Sequence, residues 1–193
     1  MARTADQIKD EILIELRNII LYRQELLQPT DRLDYEEFHK KLLGYAGAIY
    51  HFKERLAAWV KKRGIAVKIT EIAESNTPLL VCGDLFNTKK HGGNENRSKL
   101  FPELSGMKLL TAGSPIGIRF DGTMKTGDLD RAVPYVIEIH CSENRTLGNA
   151  VRFVSKAFSV WIPIMKQIGL LVRTNNVDTR LLDELEAFAQ DEP

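Results

Sequence analysis

From Tyr35 to Gly64 the chain reads YEEFHKKLLGYAGAIYHFKERLAAWVKKRG, with no proline and with apolar residues returning at helical spacing throughout. This predicts one long helix, whose apolar stripe needs covering elements. Asp34 is placed to cap it, with Glu37 three residues on. Its basic last turn, Lys61, Lys62 and Arg63, suits the carbonyl end of the macrodipole, and Gly64 then permits a change of direction. Gly44 and Gly47 inside the helix each cost about 1 kcal/mol relative to alanine, so close packing against a neighbour is expected there.

The same periodicity predicts further helices. In the opening segment Ile8, Ile12, Leu16, Ile19 and Ile20 share a face, Thr4 and Gln7 form a capping pair, and Pro29 follows the end. Residues 65 to 76 fit a strand, a short helix or a connection. Thr77 and Pro78 read as a cap and a first-position proline opening PLLVCGDLFNTKKH, which ends at Gly92 and Gly93. The texture then changes. MKLLTAG and IGIRF read as strands around a Gly-Ser-Pro turn, and VPYVIEIHC as a third strand. Ser142 reads as the cap of a last long helix carrying Val151, Val154, Phe158, Trp161 and Met165, kinked or broken near 159 to 163 by Pro163. DTRLLDELEAFAQDEP reads as a short acidic helix. The fold class expected is mainly α: one domain over 1–193, a helical bundle with its body at 4–92 and 142–190 and a small antiparallel β insertion at 94–141.

Composition narrows the function classes. The 27 Lys plus Arg against 26 Asp plus Glu leave a formal charge of +1, which argues against a chain wholly devoted to gripping nucleic acid, though a local basic patch remains compatible. Cys82 and Cys141 sit in apolar surroundings and read as free buried thiols of a reducing, cytoplasmic compartment. No apolar run suits a signal core or a bilayer span. Glycine-rich phosphate loops, dinucleotide fingerprints, nucleophile elbows and paired-cysteine zinc motifs are missing. No cofactor is called for and no metal is assigned: His51, Asp84, His91 and His140 would bind one only if the fold gathered them.

The candidate site lies in CGDLFNTKKHGG. Asp84, Asn87 and His91 recur at three and four, so they line one side of a helix with Lys90 beside them. The carboxylate orients an imidazole, asparagine donates and accepts, histidine titrates near neutrality, and lysine offers charge to phosphate or carboxylate. His51 and Arg55, four apart with Glu54 between, form a second line that meets the first if the helices pack side by side. The competing explanation is structural, with Asp84 or Asn87 satisfying amides of the loop after Gly92. His51 and His140 also suit hydrogen-bonded structural roles, His39 suits a solvated helix face, and Cys82 suits the core. Lys53, Arg55, Lys61, Lys62 and Arg63, with Lys89, Lys90, Arg97 and Lys99, would build a positive patch if brought together.

The succession of YHFKERL on one helix, DLFNTKKH on the next, a strand-bearing section and a helix with Trp161 resembles uncharacterised bacterial helical proteins that carry a D-L-x-N-x-x-K-H segment. More remotely it is similar to the higher eukaryote and prokaryote nucleotide-binding superfamily, helical domains often found in toxin and defence systems. The resemblance spans about residues 34 to 165. In ribonuclease members of that superfamily an arginine precedes a histidine by four to six residues; His91 takes the histidine place and Asn87 or Asp84 a polar place, but Lys89 and Lys90 stand where no arginine does. The resemblance implies metal-independent RNA cleavage at a dimer interface, with His91 as acid or base and Lys90 stabilising phosphoryl charge. From the residues themselves, the expected role is an interaction or ligand-binding protein, with self-association and an RNA or nucleotide ligand as the partners to test.

Overall fold

The computed structural model describes residues 3–27, 35–91, 98–100, 102–111, 114–118, 135–141, 145–171, 181 and 183–185. For 35, 88–91, 105–111, 114–118 and 135–136 it describes the backbone alone. Helix α1 (Ala5–Leu27) opens on the expected capping box: the Thr4 amide donates to Gln7 Oε1 at 2.9 Å and the Gln7 amide to Thr4 Oγ1 at 3.2 Å. Its Ile8, Ile12, Leu16 and Ile19 are buried, while Ile20 is half-buried.

Helix α2 (Tyr35–Arg63) keeps its expected bounds and is the axis of the molecule. Gly64, at φ +64°, closes it, and the Ile65 amide reaches back to the Val60 carbonyl at 2.9 Å, a left-handed cap that satisfies a carbonyl of the last turn. Helix α1 packs on α2, as do α3 (Ile69–Ser75), α4 (Thr77–His91) and α5 (Ala150–Ser159). The undecided stretch 65 to 76 therefore contains a short helix. The cap of α4 is one residue earlier than expected, since Asn76 Oδ1 accepts from the Leu79 amide at 3.2 Å and leaves Thr77 as the first helical residue. Asp34 and Pro29 lie outside the described residues.

The strands are β1 (Glu103–Thr111), β2 (Ser114–Ile118), β3 (Tyr135–His140) and β4 (Thr146–Asn149), all antiparallel in the order β2-β1-β3-β4. Two expectations are corrected here. Thr111 stands opposite Ser114, so Ser114 and Pro115 belong to the second strand rather than to the turn. The segment TLGN, expected inside a helix capped by Ser142, is instead the edge strand β4, because pairing with β3 decides its shape. Asn149 is the true cap of α5, its Oδ1 accepting from the Arg152 amide at 3.0 Å. Ile137 and Ile139 are buried on the face of β3 that joins the helical core, and β3 and β4 both pack on α5.

Helix α5 ends at Ser159 and α6 (Trp161–Gln167) restarts after Val160. Pro163 thereby falls in the first turn of α6, where amide hydrogens have no intrahelical partner and a missing one costs nothing. Two indoles fasten this segment to α2: Trp161 Nε1 donates to the Ile49 carbonyl at 3.1 Å, and Trp59 Nε1 to the Ile168 carbonyl at 3.3 Å. Val151, Val154, Phe158, Trp161 and Met165 are all buried, as the spacing predicted. Between them and α2, Tyr45 shares a 3.0 Å hydrogen bond with Ser155, whose hydroxyl lies 2.8 Å from the Val151 carbonyl. Cys82 and Cys141 are buried thiols that are not joined in a disulfide. Most of the acidic carboxy-terminal segment lies outside the described residues, but its Leu181 and Leu185 join the core.

Candidate functional site

The sequence brings α2 and α4 unusually close. A Cβ added at Gly47 would clash with the edge of the Phe86 ring, and one added at Gly83 would stand 2.9 Å from the Tyr50 ring. Each helix thus seats an aromatic ring in a glycine notch of the other, which is the close packing predicted for Gly47. Gly44 is different, with Tyr22 of α1 at an ordinary 3.6 Å.

This fit positions His51. Its ring meets Tyr50 and Phe86 edge-on, with centroids 5.4 and 5.3 Å away, and its Nδ1 is 2.9 Å from Glu54 Oε1. The side chain is 43% exposed, so one part of the imidazole is held by rings and a carboxylate while the rest faces solvent. Tyr50 is buried behind it, with the Lys53 ammonium 3.5 Å from its ring centroid. Asn87 follows Phe86 on α4 and is half-buried. Residues 89, 90 and 91 continue α4 by one turn; the side chains of Lys89, Lys90 and His91 lie outside those described.

Two candidates point elsewhere. Arg55 turns to α1, where its Nη1 is 2.8 Å from Glu11 Oε2, an oxygen also approached by Arg3 at 2.7 Å. The strip of α2 between its neighbours therefore sends His51 toward α4 and Arg55 toward α1. Asp84 is 1% exposed and accepts from the Ser98 amide at 2.9 Å. Ser98 Oγ in turn accepts from the Leu100 amide at 3.3 Å, and Lys99 between them takes φ +60°. Asp84 thus ties the segment after α4 back onto the helix, as the structural explanation of that residue anticipated.

The proposed positive patch is only partly gathered. Lys53 lies over Tyr50, and the Arg63 guanidinium stands 5.6 Å from the Trp59 centroid. Lys61 and Lys62 are exposed at the end of α2; Arg97 lies outside the described residues. His140, at the end of β3, contacts Glu138 and Thr146 rather than His51 or Asp84. Among the described residues no group of three or more histidine, cysteine or acidic side chains is arranged to hold a metal, and no helix is long and apolar enough to cross a membrane.

Sequence reasoning missed Phe86 and Tyr50. Their signal was available in Gly47 and Gly83, two glycines inside helices, each of which leaves room for a ring. Comparison with family models, with curated proteins and with solved structures finds no match.

Proposed function

We propose that this is a ligand-binding protein whose binding face is the α2–α4 junction. One observation carries the reading: the His51 ring is held edge-on by Tyr50 and Phe86, with Nδ1 on Glu54, and still faces solvent. A ring so fixed loses little freedom on binding, which favours a planar ligand that stacks. Lys53 beside it, and Lys89, Lys90 and His91 one turn beyond Phe86 along α4, suit an attached phosphate. A nucleotide or a short single-stranded RNA combines both features. The two buried thiols, not joined in a disulfide, accord with the cytoplasmic location that belongs to this reading.

The test is a titration of the full chain with a labelled RNA oligonucleotide and with ATP, at low and rising salt. Binding should weaken as salt rises, and His51→Ala or Phe86→Ala should weaken it about tenfold, the scale of one lost stacking contact. Absence of binding to either probe at low salt rejects the proposal. Chelator-resistant cleavage of the RNA, lost in a folded His91→Ala variant, would replace binding with ribonuclease activity.

A further inference from the structure

A second group of side chains lies on the sheet, away from α2 and α4. Along β3, Ile137 and Ile139 are buried, as is Cys141 just after it, so Glu138 and His140 alternate onto the opposite face. Pairing of β3 with β4 runs Glu138 to Asn149 and Ile139 to Gly148, then slips, so that His140 meets Thr146 instead of Leu147. This is a bulge, with Gly148 at φ +94°, a conformation that side chains rarely adopt. Its effect is chemical: Leu147 packs against the core, and a hydroxyl takes the place beside the imidazole.

The resulting geometry is ordered. Thr146 Oγ1 is 3.4 Å from His140 Nδ1, and Glu138 Oε2 is 3.5 Å from Nε2. A carboxylate only accepts, so it selects the tautomer protonated at Nε2 and leaves the Nδ1 lone pair toward the hydroxyl. Nucleophile, base and orienting carboxylate then stand in series, at separations longer than the ~2.6–3.2 Å of closed catalytic contacts, which a bound substrate has to tighten. Thr146 is exposed and open to a reactant. Glu103, opposite His140 on β1, and Glu138 bring carboxylates to the imidazole while Arg145 adjoins Thr146, so charge of both signs flanks the site and an uncharged ester suits it.

We propose that Thr146, His140 and Glu138 form an acyl-transfer site for small neutral esters. Thr146 Oγ1 bonds to the ester carbonyl carbon as His140 Nδ1 takes its proton. The carbon–oxygen bond to the alcohol breaks, and the imidazolium returns that proton to the departing oxygen. Water, deprotonated by the same nitrogen, then attacks the acyl-threonine, releases the carboxylic acid and restores the hydroxyl. Thr146 and His140 are the catalytic residues, and Glu138 is a positioning residue.

The experiment treats the full chain with p-nitrophenyl acetate, follows nitrophenolate release and maps the acetyl group by mass spectrometry. An acetyl group on Thr146 is expected. Thr146→Ala should remove that adduct and Thr146→Ser should retain it, while His140→Ala should slow acylation about a hundredfold. For Glu138→Ala, ring-nitrogen NMR should show His140 changing from one tautomer to a mixture, alongside slower acylation. Acetylation confined to lysines or the amino terminus, or a release rate unchanged in folded Thr146→Ala, overturns the proposal. So does a wild-type His140 protonated at Nδ1.

Discussion

Helix α2 is flanked by two helices on opposite terms. Toward α1 it meets an aliphatic ridge, Ile8, Ile12, Leu16 and Ile19, with the Arg55–Glu11 ion pair at the rim. Toward α4 it exchanges rings for glycines, Phe86 into Gly47 and Tyr50 into Gly83. Branched aliphatic side chains fill space by number, so that contact tolerates small changes of shape. A ring in a notch fills space by position, so that contact fixes one register and, with it, the orientation of His51.

The contrast can be broken by substitution. Leu16→Ala, at a fully buried ridge position, should destabilise most, by about 2–5 kcal/mol in urea unfolding. Gly47→Ala should cost about 1–3 kcal/mol through the clash with Phe86. Gly44→Ala faces only an ordinary contact with Tyr22 and should be neutral or stabilising, by up to about 1 kcal/mol, from helix propensity. The same sign and size at both glycines would remove the distinction between the two sides.

Titration sharpens it further. Burial pushes the Tyr45 phenol and the Cys82 thiol up from their ordinary ranges, 10.0 and 9.0. The unfolded chain therefore loses these protons first, and stability present at neutral pH should fall as pH rises through about 9 to 10. Tyr45→Phe should cost about 1 kcal/mol at neutral pH, since Ser155 keeps its bond to Val151, and should flatten that alkaline decline. The smallest effect belongs to the rim. Arg55→Ala should cost less than about 1 kcal/mol, and the cost should shrink in salt.

What the sequence revealed follows the range of the interaction. The Thr4–Gln7 cap, the bounds of α2 and the break before Pro163 rest on neighbours within a turn or two, and periodicity exposes them. Strand β4 rests on β3, so TLGN was read as part of the helix that follows it, although its shape is decided by pairing. The polar line on α4 was recognisable, and so was the use of Asp84 to hold the loop after Gly92, but spacing could not single out the Ser98 amide, fourteen residues on. Nor could spacing show that Arg55 leaves the line of His51 for Glu11, because α1 is distant in sequence.

The indole bonds also determine what light can report. The chain has two tryptophans, and both lie where residues 161 to 168 dock on α2, Trp59 from one side and Trp161 from the other. Intrinsic tryptophan emission is therefore a gauge of that docking alone. A melt followed by fluorescence and one followed by the amide signal of the sheet would coincide only if the two parts let go together, so the chain carries its own built-in test of cooperativity.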